Sequence, residues 1–290
     1  MKSVFPVDEP PSKLACTYTT LLVLLFLAAC QYKKETHTAT TAPILRDSAI
    51  LSKTGIIACS IPPKKLSKRK KIYLTFDDGP NKGTRTVLDI MKEEQIPATF
   101  FLVGEHAIGS AEQKELMDSL RSLQTIELCN HSYSHAHNKF DKFYMQPDSV
   151  LADFDKARAI LQLDCMTART PGRNIWRIDS INGTDIKTSR AAADTLQKYG
   201  YKLIGWDMEW HFEPKTMQLT KTATELKMQI DSLFTRNKVK QENHLVILAH
   251  DQAYRSPSNI EELQKLVRSL KQDDNYELEL IKNYPGLSKN

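Results

Sequence analysis

From Lys71 onward, short apolar runs alternate with longer amphipathic stretches. The runs Ile72–Phe76, Ala98–Val103, Ile126–Cys129, Cys165–Arg169, Lys202–Trp206, Leu245–Ala249 and Glu277–Leu280 have the length of strands, and helical patterning fills most of the gaps. Alternation of this kind predicts parallel β/α units. Ser110 with Gln113 and Ser258 with Glu261 read as capping boxes that open two helices, and Gly200 reads as a left-handed cap closing another. The expected class is α/β, a barrel or a doubly wound sheet, and in either case functional groups gather at the carboxyl ends of the strands.

The polar residues fall where that rule puts them. Asp77 and Asp78 follow the first run, His131 and His135 the third, Arg169 the fourth, Glu209 and Trp210 the fifth, and His250 and Asp251 the sixth. Two adjacent carboxylates repel, so a strand end carrying both calls for a cation or a paired base to offset the charge. Asp-Asp-Gly-Pro is also a good turn in any protein. In Asn130-His131-Ser132-Tyr133-Ser134-His135, a helical turn would put two imidazoles on one face. Two imidazoles plus one carboxylate make a three-ligand site that leaves positions open for water.

Composition narrows the class. With 41% hydrophobic and 26% charged residues, 290 residues bury a real core, which excludes a disordered or fibrous chain. The net charge of +5 is mild, and the basic cluster Lys64, Lys65, Lys68, Arg69, Lys70, Lys71 has no aromatic interleaving. It reads as a solvated approach to the first strand, so no nucleic acid is expected as a partner. Leu21 to Ala29 is apolar but too short to cross a bilayer, and suits a signal-peptide core. Leu27-Ala28-Ala29-Cys30 resembles the lipobox of bacterial lipoproteins, which implies cleavage before Cys30 and lipid on its thiol. Asp8 and Glu9 offset Lys2 and Lys13, so the positive charge usual before such a core is weak. The expected organisation is a signal peptide over 1–29, a Thr/Ala/Ser/Lys-rich tether over 30–65, and one domain over 66–290 held to the bacterial cell envelope by lipid. Gln31 after the cysteine favours the outer membrane by analogy with enteric sorting. Cys59, Cys129 and Cys165 would remain in the mature chain, with no Cys-x-x-Cys pair and no assignable pairing.

Thr75-Phe76-Asp77-Asp78-Gly79-Pro80, followed by Asn130-His131-Ser132-x-x-His135, resembles the polysaccharide deacetylases of carbohydrate esterase family 4. The likeness runs from about Lys71 to Leu280 and implies a distorted, incomplete (β/α)7 barrel. It also implies Asp77 as general base, Asp78, His131 and His135 as ligands of one divalent metal ion, usually zinc, and His250 of Leu248-Ala249-His250 as the acid that protonates the leaving amine. Two motifs depart from the family pattern. Arg169-Thr170-Pro171-Gly172-Arg173 keeps the arginine and proline of Arg-x-Pro-aromatic-Gly, but has glycine at the aromatic position and arginine at the glycine. Arg169 can still pair with Asp77, and the Gly172 N–H can still donate to an oxyanion, but the aromatic wall is missing. Trp206-Asp207-Met208-Glu209-Trp210 has Glu-Trp where Asp-Trp is common; Glu209 is expected to orient His250, with Asp207 as the alternative, and Trp210 to line the acetyl pocket.

The resemblance implies a monomeric, metal-dependent enzyme that removes acetyl groups from N-acetylated sugars of an extracytoplasmic polymer such as peptidoglycan or chitin. The alternatives are hydrolysis of O-acetyl esters on a polysaccharide, and carbohydrate binding without catalysis. Retention of both Asp77 and His250 speaks against the last. The absence of Gly-x-Ser-x-Gly disfavours a serine nucleophile.

Overall fold

The computed structural model describes residues 69–287; the apolar run Leu21–Ala29, Cys30, Cys59 and the tether lie outside them. The strands are β1 (Lys70–Gly79), β2 (Ala98–Leu102), β3 (Ile126–Asn130), β4 (Thr167–Ala168), β5 (Ile175–Ile178), β6 (Ile181–Thr184), β7 (Lys202–Leu203), β8 (Met208–Glu209), β9 (His244–His250) and β10 (Tyr276–Leu278). The helices are α1 (Thr84–Glu94), α2 (Gly104–Ala107), α3 (Ala111–Arg121), α4 (Phe140–Tyr144), α5 (Pro147–Ile160), α6 (Arg190–Lys198), α7 (Ala223–Thr235) and α8 (Pro257–Gln272). All ten strands join one sheet in the order β6-β5-β7-β4-β3-β2-β1-β9-β8, with β10 against the start of β1. Everything from β4 through β3, β2, β1 and β9 to β8 pairs in parallel, and the path ends at β6 and β8 without closing. The fold is α/β with a curled, incomplete barrel, as expected.

Alternation along β1 builds the two sides of this sheet. Ile72, Leu74 and Phe76 pack outward in a cluster with Val87, Met91, Leu120, Leu226 and Leu266 of the surrounding helices. Tyr73 points inward with Phe101, Cys129, Trp176 and Val246, and Thr75 and Asp77 continue that inner row toward the rim, both buried. The period of two thus carries a carboxylate to the mouth of the barrel.

All seven predicted strands exist, but four cover less than their apolar runs: Ala98–Val103 loses its last residue, Glu277–Leu280 keeps only Glu277–Leu278, and two are cut to a pair. Cys165–Arg169 contributes only Thr167–Ala168 to the ladder, and Lys202–Trp206 only Lys202–Leu203. The residues that follow these pairs bend over the barrel mouth, where Arg169 and Trp206 line or support the site. The β5–β6 hairpin was not expected from the pattern, because buried Arg177 interrupts it; its guanidinium is neutralised from outside the strand by Asp194, at 2.8 Å.

Helix starts are partly as predicted. Ser110 accepts from the Gln113 N–H at the start of α3, and Gly200, with φ +91, follows α6 in the left-handed conformation. At α8 the cap is Ser256, not Ser258: Ser256 accepts from the Asn259 N–H, and Pro257 takes the first helical position, where a missing N–H costs nothing. Thr222 and Glu225 form a full capping box on α7 that the apolar pattern did not flag. Cys129 and Cys165 are free thiols. Among the described residues, no helix is long and apolar enough to cross a membrane.

Removing the α8 cap with Ser256→Ala is expected to cost about 1 kcal/mol, a fall in Tm of roughly 2–4 °C for a domain of this size. Ser258→Ala should stay within about 0.5 kcal/mol. Thermal melts of the two variants decide the cap, and equal losses would return that role to Ser258.

Candidate active site

Register brings the predicted groups together. Asp77 on β1 is the direct partner of His250 on β9, so base and acid candidates stand side by side at neighbouring strand ends. Asp78 should point away from Asp77 in a regular strand. Instead the β1–β2 register shifts between Asp77 and Gly79, and Asp78 takes a left-handed φ of +73. The bulge re-aims the second carboxylate so that both line one cavity of about 230 Å³. His106 holds the bulge from behind, its Nδ1–H donating to the Asp78 carbonyl at 2.9 Å.

The histidine segment is not helical in the sense expected. Ser132 (φ +68) and the run His135 (φ +48), Ala136 (φ +55), His137 (φ +44), Asn138 (φ +57) are all left-handed. His131 and His135 therefore meet through a loop, with ring centroids 5.3 Å apart. Side chains satisfy the loop backbone: Ser132 N–H donates to Asn130 Oδ1, and those of Tyr133 and Ser134 to Asp153 Oδ2 on α5. His131 donates from Nδ1 to the Arg169 carbonyl at 2.9 Å, and His135 Nδ1 faces Asn138 Oδ1 at 3.3 Å. Both rings thereby turn Nε2 inward, the second-sphere arrangement that metal-binding histidines use.

These Nε2 atoms lie 3.4 Å (His131) and 3.1 Å (His135) from Asp78 Oδ1, an oxygen that is buried and has no hydrogen-bond partner among the described residues. The donor atoms of Asp78, His131 and His135 all fall within 4.8 Å of one another. Burial pushes the Asp78 carboxyl up, but the facing His131 and His135 rings outweigh it and hold the group well below the usual carboxylate range. Burial likewise pulls His135 down, and Asp78 more than reverses it. Two nitrogen lone pairs and one carboxylate oxygen converging on a point fit a divalent cation, and a mixed nitrogen and oxygen donor set suits zinc.

Asp77 is nine-tenths or more buried and is fixed by Arg169, whose guanidinium is fully enclosed. Arg169 Nη1 donates to Asp77 Oδ1 at 2.9 Å and to Thr75 Oγ1 at 2.7 Å, while Nε and Nη2 donate to the carbonyls of Ile204 and Gly205. The plane of the guanidinium lies over the Phe101 ring at 4.1 Å. Asp77 Oδ2 is left facing the cavity, 3.7 Å from His131 Nε2.

Residues 64–171 match the family model for polysaccharide deacetylases. The chain is 25% identical over 265 residues to YheN of Bacillus subtilis, a protein provisionally assigned as a polysaccharide deacetylase, covering 89% of this chain and 85% of that one. It is 25% identical over 204 residues to the chitin disaccharide deacetylase of Vibrio alginolyticus, covering 48% of this chain and about half (47%) of the relative. The fold is similar to that of a family 4 carbohydrate esterase of Streptococcus mutans, with a TM-score of 0.56 at 21% identity over 74% of this chain and 87% of that one.

Around this cavity, several expected positions change. Trp210 is a core residue, 1% exposed, its indole N–H donating to the Lys221 carbonyl and its ring against Tyr254. The indole that lines the cavity is Trp206. Asp207 holds backbone, accepting from the N–H groups of Lys240 and Val246 at 2.7 Å each, and burial raises it to about 6; it is not among the cavity residues. Glu209 does line the cavity with His250, but its Oε1 is 3.8 Å from His250 Nδ1 and 3.1 Å from His211 Nδ1. His250 Nδ1 is buried without a hydrogen bond among the described residues. Pro171 is buried and its carbonyl accepts from Tyr144. Gly172 lines the cavity, and its N–H is engaged in no hydrogen bond among the described residues.

Asp251 went unassigned in the sequence, although it follows His250 directly. It is fully buried and accepts from Asn81 Nδ2 and Thr84 Oγ1, tying the turn after Asp78 to the segment after His250. Burial pushes its carboxyl up to about 7 against those two hydrogen bonds, with the charges of Asp78 and Asp77 adding to the rise. The approach is close: a Cβ on Gly83 would lie 1.9 Å from the Asp251 carbonyl oxygen, so only glycine fits there.

Arg169→Ala is expected to destabilise the domain by about 3–5 kcal/mol, because it leaves Asp77 buried without its counter-charge. Arg169→Lys should recover only part of the loss, since an ammonium cannot reach four acceptors on two segments in one plane. Urea unfolding measures both, and a near-neutral Arg169→Ala would mean the pair is not structural.

Proposed function

We propose that this chain is a metal-dependent deacetylase acting on N-acetylated sugars of an extracytoplasmic polysaccharide, peptidoglycan or chitin-like. The observation that carries this reading is the convergence of Asp78, His131 and His135 in the same cavity as Asp77 and His250. A divalent cation held by Asp78, His131 and His135 would supply Lewis acidity, making water acidic and polarising the acetyl carbonyl. Asp77 takes the proton of the attacking water: Arg169 keeps the carboxylate oriented and leaves Oδ2 open to the cavity. His250, on the neighbouring strand, gives a proton to the sugar nitrogen as its bond to the acyl carbon breaks. Glu209 lines the same cavity, its Oε1 3.8 Å from His250 Nδ1. The unengaged Gly172 N–H is available to a carbonyl oxygen as negative charge develops on it. A cavity of about 230 Å³ admits an acetamido group with part of one sugar ring.

The relatives named as chitin and polysaccharide deacetylases support the amide substrate. Ester hydrolysis would use the same groups, and parallel assays of acetate release from chitooligosaccharides, peptidoglycan and acetylxylan separate the two. Asp77→Asn should keep the metal, measured by elemental analysis, yet lose about 10²–10⁴-fold in rate; His131→Ala and Asp78→Ala should lose metal and activity together. His250→Ala should slow N-acetyl substrates far more than an aryl acetate, because an amine must be protonated to leave and a phenolate need not be. Near-wild-type rates for metal-loaded Asp77→Asn on every substrate would refute the mechanism.

Lipid anchoring at Cys30 completes the proposal and places the domain at the cell envelope. Cys30→Ser should move the protein from the membrane fraction to the soluble or unprocessed pool. Unchanged membrane association would point to an uncleaved apolar helix.

A further inference from the structure

The glycine and arginine that replace the family's aromatic and glycine at positions 172 and 173 have a structural partner. Phe140, the first residue of α4, lines the cavity and is half-buried at its edge, its ring perpendicular to that of His135 with centroids 5.5 Å apart. A Cβ on Gly172 would sit 3.1 Å from three carbons of the Phe140 ring, and Gly172 has a φ of +63. A side chain at 172 would be strained by that φ and would press the Phe140 ring aside by a few tenths of an ångström. The next residue secures the arrangement. Arg173 Nη2 donates to Asp141 Oδ1 at 2.7 Å, its Nη1 to the Gly172 carbonyl, and its guanidinium lies 5.9 Å from the centroids of both Phe140 and Tyr144. At the other end of α4, the Tyr144 hydroxyl donates to the Pro171 carbonyl at 2.7 Å. The two departures from the motif are therefore the seat of an aromatic ring delivered from another segment.

Resting on the deacetylase reading, we infer that Phe140 is the sugar-stacking residue of this site, seated by Gly172 and Arg173 in place of an aromatic at 172. A pyranose ring presents faces of C–H bonds with partial positive charge, which complement the negative face of an aromatic ring. Phe140 is half-exposed at the rim, where a sugar ring would lie, whereas Trp206 and Leu248 supply the other apolar lining, suited to the acetyl methyl group. The platform stands beside His135, so it selects a saccharide whose ring packs on the histidine side of the cavity.

The test is binding of the β-1,4-linked N-acetylglucosamine tetramer, by calorimetry, to the metal-loaded full chain carrying Asp77→Asn so that the saccharide is not consumed. Adding Phe140→Leu, which keeps apolar bulk, should raise Kd tenfold or more, about 1.4 kcal/mol, and Phe140→Tyr should restore it. Gly172→Ala, which presses the ring aside, should weaken binding comparably and add little on top of Phe140→Leu, because the two act through one contact. In the enzyme with Asp77 intact, the Phe140→Leu loss should fall on KM more than on kcat. Equal Kd for the phenylalanine, leucine and tyrosine forms overturns the inference, as does an Asp77→Asn chain that binds no tetramer. Phe140-dependent binding by a wild-type chain that releases no acetate from any substrate would instead sink the deacetylase reading and leave this inference standing.

Discussion

The site depends on one buried ion pair, Asp77 with Arg169. A charged group at 2% exposure is costly to bury unless it is paired and hydrogen-bonded. Arg169 answers that charge and spends its remaining donors on Thr75 and on the carbonyls of Ile204 and Gly205. One side chain thus ties the end of β1 directly to the segments after β4 and β7, which strand pairing connects to it only through β3 and β2. Its carbonyl, meanwhile, fixes the tautomer of His131. The base candidate, a metal-ligand candidate and the barrel mouth share a single residue, and a change at Arg169 reaches all three.

A parallel sheet offers each strand end one inward side chain, and the chemistry asks β1 for two. The bulge at Asp78 meets that demand, and it is stable only because other segments hold it: His106 donates to its carbonyl, and Asp251 gathers Asn81 and Thr84 behind it. Since Asp251 directly follows His250, the clamp that steadies the metal-side carboxylate is continuous with the acid candidate. The spacing between the two halves of the site is set by packing around Gly79 and Gly83, where no larger residue fits.

Much of this was legible in the sequence, for identifiable reasons. Strands such as Ile72–Phe76 and Leu245–Ala249 are central and apolar, so their existence follows from hydrophobicity alone, and the strand-end rule then finds Asp77, His131, Arg169 and His250. What was not legible depends on contacts between segments distant in the chain. Trp210 and Trp206 are equally aromatic on paper, and only the bend after β7 decides that one enters the core and the other the cavity. Asp207 and Glu209 are both acidic and two residues apart; the backbone N–H groups of Lys240 and Val246 claim the first. The hairpin of β5 and β6 hides because Arg177 is buried, and its neutralising Asp194 lies on a helix. Phe140 belongs to no motif, and its role becomes visible only as the volume that Gly172 leaves free.

Backbone strain is distributed in keeping with this. Of the twelve non-glycine residues with positive φ among the described residues, six are Asp78, Ser132 and the run His135–Asn138, all within the segments that carry the metal-ligand candidates. Left-handed conformation costs such residues on the order of 1–2 kcal/mol each, so the ligand loops are held open at a cost comparable to a sizeable part of a domain's net stability. Asn130, Asp153 and Ser132 offset it by accepting the N–H groups of that loop with side-chain oxygens. The offset is incomplete at one atom, because Asp78 Oδ1 remains buried without a hydrogen bond, facing two imidazole nitrogens. An arrangement strained in its backbone and unsatisfied at its centre is not what packing alone would select. A cation between Asp78, His131 and His135 would complete it, and the bulge, the loop and the Nδ1 hydrogen bond of His131 are placed as such a site needs.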